Sequence, residues 1–292
     1  MRFLAYILIA FLSTSLSAKG QYQKPENTLL WEISGNGLKK SSYLFGTYHF
    51  AGRDFIDTMK VLQAKLTSSE VIVGELIIDN TVAMKLMPHM AMQNTTLDKL
   101  MSANQYQMVA TYLKKISGYN LKLFNSMKPV AVQMTMLQFI APRTVSPTNP
   151  ALDQYLQDYG RANKKKVMGL ETVEDQAAVL FGGSLTRQTE LLLKSVRDEE
   201  RAEREGQQLY ANYIAQNLEE LEKFFVKSED YTKDELDQLL KNRNKKWMDQ
   251  LPNLMQDQSL FIAVGAGHLV GEDGLIIALK ARGYNVRPLA TN

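Results

Sequence analysis

The run Ser69–Ile78, "SEVIVGELII", does more than any other stretch to limit what this chain can fold into. It is short, almost wholly apolar and without alternation, the mark of a strand buried on both faces, which requires a sheet with helices packed on each side. Other β-type runs supply neighbours. "LLWEI" (Leu29–Ile33) leads through the turn-forming "SGNGLKKS" into a hairpin partner at Tyr43–Tyr48. "KKKVMGLE" ends a strand at Glu171, and "SLFIAVGAGHLVGEDGLIIALKARGYNVRPL" reads strand, turn, helix, strand, a βαβ unit. Between them the apolar spacing of three and four predicts helix around Asp57–Leu66, from Thr81 to about Ile140 with breaks at Gly118 and Pro129, and again from Thr186 to Val226 and Thr232 to Met255. Asn149 or Thr148 would cap a helix running to Ala162, and Thr172, with Asp175 three residues on, would cap the next. The expectation is one α/β (α+β) domain over residues 29–290, a central mixed sheet built from N- and C-terminal strands, covered by a helical cap at about 81–142 and 186–255.

Residues 1–18, "MRFLAYILIAFLSTSLSA", place one Arg before an apolar run and then small residues, the layout of a secretory signal peptide. The run is shorter than the roughly 20 residues that span hydrocarbon, so the expectation is cleavage and a secreted or periplasmic protein, with an uncleaved inner-membrane anchor as the alternative. No later segment is apolar enough to span a bilayer. The chain has no cysteine, which removes disulfides and thiolate metal sites and leaves His, Asp, Glu and backbone oxygen as the only metal donors. Net charge is +3, or +2 once Arg2 leaves, and basic runs such as "RANKKKV" are offset by "RDEERAERE". Nucleic-acid binding is therefore not expected, and these runs read as solvated helix faces. The methionines Met84, Met87, Met90, Met92, Met134 and Met136 read as flexible core filler or groove lining, and His89 among them as an incidental helix residue.

Two of the three histidines, His49 in "LFGTYHF" and His268 in "VGAGHLVG", stand three residues after a glycine, Gly46 and Gly265, at the mouth of a β-type run. With Gly at about 7% of residues, chance produces such a pair about once in a hundred sequences of this His content. A glycine at a strand end lets the backbone bend or approach another group, and the imidazole is then presented at the carboxyl edge of the sheet, where open α/β sheets bind ligands. Glu75 and Glu171 also lie in or at the end of apolar strands, where a carboxylate is costly unless paired, hydrogen-bonded or on a metal. Two imidazoles and one or two carboxylates form an N/O donor set for a divalent ion with positions left for water and substrate. The competing reading has each histidine satisfying a buried backbone group and each glutamate pairing with a lysine. The sequence contains no HExxH, P-loop or GxSxG motif, and "GAGHLVG" misses the dinucleotide fingerprint by one position.

In order along the chain, "SSYLFGTYHF", "VIVGELI", "ALDQYLQDYGRANKKKVMGLETVEDQ", "RNKKWMDQL" and "LFIAVGAGHLVGEDGLIIALKARGYNV" resemble the TraB/GumN family, which includes the Tiki metalloproteases and is similar to the erythromycin-esterase and ChaN-like proteins. The resemblance implies a metal-dependent hydrolase of peptide or protein substrates, with manganese or cobalt as the ion and zinc as a further candidate. It implies metal ligation by His49, Glu75 and His268, a carboxylate-orienting or oxyanion role for Arg243, proton transfer by Glu171, and a supporting place for Asp153. Tyr48, before the first histidine, would project away from the site. Family members tied to pheromone shutdown or polysaccharide gene clusters keep two alternatives open, a metal-free His/Glu esterase and a non-catalytic peptide- or pheromone-binding protein.

Overall fold

The computed structural model describes residues 27–226 and 230–292, so the signal segment 1–18 lies outside the described residues. Strands β1 (Leu30–Ser34) and β2 (Ser42–Thr47) form the expected hairpin, turned by Gly35, Asn36 and Gly37, all at positive φ. β3 (Val71–Gly74) is buried at every position, as an unalternating apolar run demands. β4 (Lys166–Gly169), β5 (Leu260–Gly265) and β6 (Asn285–Leu289) complete a six-stranded sheet in the order β4-β3-β5-β2-β1-β6. The first four in that order run parallel, and β1 is antiparallel to both β2 and β6, so the sheet is mixed. The C-terminal βαβ unit is present, but its two strands are not neighbours, because the β1–β2 hairpin sits between β5 and β6.

The register brings four strand ends to one edge: Thr47 lies opposite Gly265, Gly74 opposite both Ala263 and Gly169. Helix Leu152–Ala162 packs on β3 through Leu152, Leu156 and Gly160, spaced by four, while helix Leu275–Ala281 buries Leu275, Ile276 and Leu279. Trp31, Phe45, Ile72, Phe261 and Trp247 are among the side chains that fill the core around the sheet, each worth roughly 1.5–3 kcal/mol relative to exposure.

The helical middle packs into three clusters, the smallest of them around Ala131, Ala177 and Phe181. Residues 92–136 and helix Leu185–Arg197 share their own cluster, which buries Leu97, Val109, Leu113 and Leu192. Tyr213, Leu218, Leu221, Leu251 and Met255, by contrast, pack into the sheet core. The stretches read as long helices are interrupted: after Ile214 the chain turns at Gln216, which has positive φ, and a π turn at Asp237–Lys241 precedes helix Asn242–Met248. Pro252 then opens a separate short helix, Leu251–Met255, since proline fits a first turn and not a helix interior. Of the methionines, Met92 and Met136 are buried, but Met84 and Met87 stand on the exposed face of helix Val82–Met90. Thr172 caps its helix in a reciprocal box with Asp175. Asn149 does not cap: Ala151 occupies that position, and the Asn149 amide instead bonds Asp54 and the Thr144 carbonyl. Among the described residues no helix is long and apolar enough to cross a membrane.

Candidate active site

The two GxxH motifs meet across the β2–β5 pair. A Cβ on Gly46 would come within 3.1 Å of the backbone of Ala266, so the second motif packs tightly against the first. A Cβ on Gly265 would stand 3.2 Å from Glu75 Oε1, and it is the Gly265 N–H that donates to that oxygen at 2.8 Å. Both glycines are thus favoured by close approach and not by a left-handed backbone.

Each histidine is anchored through Nδ1. His49, two residues beyond β2, bonds Asp153 Oδ2 at 2.8 Å, while the other Asp153 oxygen accepts from Thr47 Oγ1 at 2.6 Å. Asp153 sits in the first turn of helix Leu152–Ala162, where the helix dipole favours its charge. The Asp153 charge and hydrogen bond raise the His49 pKa to about 9, and since 72% of the side chain is accessible, water screens that pull back toward neutrality. His268, in the 3-10 turn Ala266–His268 directly after β5, bonds Asn244 Oδ1 at 2.8 Å. The Asn244 amide nitrogen donates to the carbonyls of His268 and Asp273, which orients its oxygen toward Nδ1 and puts the imidazole proton there. Burial holds His268 down at about 4, so at pH 7 it is neutral with its lone pair at Nε2.

Arg243 fills the space between the acidic groups. Its Nη2 reaches Glu75 Oε2 at 2.6 Å and Glu171 Oε2 at 3.1 Å, and Nε reaches Glu171 Oε1 at 2.8 Å. Nη1 donates to His268 Nε2 at 2.9 Å and to the Leu239 carbonyl at 3.2 Å, so all five guanidinium N–H groups have acceptors. The Leu239 carbonyl is supplied by the π turn just ahead of Arg243, a distortion that helices often carry at functional positions. Glu171 is only 4% accessible and also accepts from Trp247 Nε1 at 2.8 Å, so its carboxylate is held by Arg243 and Trp247. Burial pushes the Glu75 carboxyl up, but the charges of His268, Arg243 and His49 outweigh it and hold it at about 2. Because His268 is itself neutral at pH 7, the cations that keep Glu75 ionised there are Arg243, in direct contact, and His49.

The five residues assigned from the sequence as ligands or catalytic groups therefore share one neighbourhood: the His49 charge acts on both Glu75 and His268, and Arg243 touches Glu75, Glu171 and His268. Sequence reasoning missed Asn244, Trp247 and Gln176. Trp247 lies one helical turn after Arg243, stacks on His268 at 4.3 Å between ring centroids and carries the guanidinium 5.0 Å from its ring. Gln176, one turn into the helix capped by Thr172, donates to Glu75 Oε2 at 3.0 Å. The quoted "RNKKW" already held Asn244 and Trp247, with Trp247 four residues after Arg243 on the same helix face and Asn244 next to Arg243 and three before Trp247. Tyr48 does turn away from the site, packing against Tyr210 and Tyr213.

The sequence matches the TraB/PrgY/gumN family across residues 29–288. The chain belongs to that family. No curated protein matches it.

The TraB/PrgY/gumN site has donor chemistry that suits a divalent ion. Both rings are fixed through Nδ1 by an acceptor and present Nε2, as metal-ligating histidines do, and His268 Nε2 lies 3.8 Å from Glu75 Oε1. Among the described residues, however, no three His, Asp or Glu side chains close into a ligand cluster, and Arg243 stands against His268 Nε2. An ion and the Arg243 N–H exclude each other at that nitrogen.

Proposed function

We propose that this chain is a hydrolase that adds water to the carbonyl carbon of a peptide or protein substrate seated at the carboxyl edge of the sheet. The observation that carries the reading is the pair of Nδ1-anchored imidazoles beside an ionised, buried Glu75, opening on a cavity that His49, Glu75 and Asp153 line. With Arg243 Nη1 moved off His268 Nε2, His49, Glu75 and His268 would hold a divalent ion, manganese or cobalt by the family resemblance or else zinc, which when bound supplies carbonyl polarisation and a more acidic water. Arg243 has no free N–H with which to polarise the carbonyl itself. The work of the chain's own groups is orientation: Asp153 fixes His49, Asn244 fixes His268, and Gly265, Gln176 and Arg243 fix the Glu75 carboxylate. The leader at residues 1–18 supports export, so the substrate would be met outside the cytoplasm.

The Arg243–His268 bond favours a second reading, a metal-free hydrolase in which His49 Nε2 takes a proton from the attacking water and returns it to the leaving group. Protein from residue 19 onward, assayed against a peptide library with manganese, cobalt or a chelator, separates the two. Turnover that the chelator abolishes, with metal content lost in His49→Ala and His268→Ala, supports the ion. Turnover that survives the chelator supports His49 acting as base. No turnover under any condition, with metal content unchanged in both variants, defeats the hydrolase reading.

A further inference from the structure

Beside the catalytic groups a cavity of about 250 Å³ runs inward from His49 and Glu75. Its inner wall is made by Leu76, Ile78, Val82 and Leu86, with Ile72 and Ala263 of the sheet behind them. Besides His49, Glu75 and Asp153 at its mouth, the polar side chains in its lining are Gln157, whose Oε1 accepts from Ile78 N at 2.9 Å and whose Nε2 donates to the Leu76 carbonyl at 2.8 Å, and Gln176, whose Nε2 donates to Glu75 Oε2 at 3.0 Å. An occupant whose polar or charged end lies against Leu76, Ile78, Val82 and Leu86 would lose its water there and find no side-chain partner among them. The cavity is also smaller than the roughly 300–1,000 Å³ of pockets that enclose a whole small molecule, so it is sized for part of a ligand.

The wall is preformed. The Glu75 carbonyl accepts from both Leu170 N at 2.9 Å and Glu171 N at 2.8 Å, and a Cβ on Gly169 would come within 2.8 Å of Ile77 N, so the segment after β3 is clamped against β4. The Val82 and Leu86 part of the wall comes from the short helix Val82–Met90, which follows Thr81 and carries no buried residue.

We infer that this cavity is the specificity subsite of the enzyme and takes one uncharged, unbranched or aromatic apolar side chain of the substrate, next to the bond that is attacked. The inference rests on the hydrolase reading for the word substrate, but the subsite itself can be tested without turnover. N-acetyl amino-acid amides of Ala, norvaline, norleucine, Phe, Lys and Asp are titrated into the protein by calorimetry, and the same residues are varied in the peptide library. Each methylene from Ala to norleucine should tighten binding about fourfold, and the Lys and Asp amides should bind at least tenfold more weakly than norleucine. Val82→Asp puts a charge on the wall at a helix N-terminus, where Asp is well tolerated, and should remove at least tenfold of the norleucine affinity while improving Lys. Its circular dichroism melt checks that the fold is intact, and Val82→Phe, which fills the cavity with an apolar ring, should weaken norleucine and Phe alike.

A graded apolar series that Val82→Asp flattens supports the subsite even if no peptide is ever cleaved, in which case only the hydrolase reading has failed. A flat series, or one unchanged in both Val82 variants, overturns it. Efficient hydrolysis with no enrichment of apolar side chains overturns it as well while leaving the hydrolase reading intact.

Discussion

Replacing Arg243 with Met keeps most of the apolar stem and removes the cation on which the centre of the molecule depends. Glu75 and Glu171 are 11% and 4% accessible, and Arg243 donates three of the hydrogen bonds they accept. Breaking a buried pair from one side costs about 3–5 kcal/mol, because the partner is left charged without compensation. At about 2–4 °C per kcal/mol for a chain of this size, the melting temperature should fall by roughly 6–20 °C in chelator at pH 7. The pH dependence has a definite sign. In the native protein Glu75 is held at about 2 against its ordinary 4.5, so it contributes about 3 kcal/mol that is present above pH 4.5 and lost as pH falls toward 2. Without Arg243 burial is less opposed and the folded pKa moves up from about 2, so the contribution of Glu75 shrinks and the gap between variant and native protein narrows as pH falls through the acid range. Urea denaturation at pH 7 and at about pH 3.5 measures both, and adding Glu75→Gln and Glu171→Gln to Arg243→Met should restore more than half of the loss. A loss below about 1 kcal/mol at pH 7, or a triple variant no more stable than Arg243→Met alone, would refute the assignment of Arg243 as the counter-cation.

Asp153→Asn removes the charge that raises His49, so the imidazole pKa read by NMR should move down from about 9, and activity at pH 7 should fall on the order of 100-fold. Under the metal-free reading the rising limb of kcat/KM against pH should shift to lower pH in the same variant, and an unmoved limb would remove His49 as the base. Gly46→Ala forces a methyl to within 3.1 Å of Ala266 and should cost about 1–3 kcal/mol in a thermal melt, whereas an unchanged melt would mean the two motifs do not need that contact. Trp247→Phe keeps the ring against His268 but deletes the donor to Glu171, and should destabilise by about 1–3 kcal/mol in urea.

The class of fold was readable because its signals are local. An unalternating apolar run at Val71–Gly74, turn residues at Gly35–Gly37 and a cap at Thr172 each act within a few residues of themselves, and each formed the element its pattern predicts. His49, His268 and Glu75 were legible for a related reason, since glycine spacing and a carboxylate in an apolar strand are anomalies within a short window. What periodicity could not supply was who bonds whom. That Asp153 would take His49 Nδ1, that Asn244 would take His268 Nδ1, and that Glu171 would face Arg243 and Trp247 all depend on contacts between residues 24 to 104 positions apart. Such contacts are decided by strand register and by the π turn that aims Arg243, both products of the whole sheet and its cover. The sequence by itself determined a mixed sheet with two histidines and an acidic strand end near its carboxyl edge. Only the tertiary structure decided that a guanidinium would saturate the carboxylates there, because the cost of burying charge is settled by every neighbour at once and not by chain order.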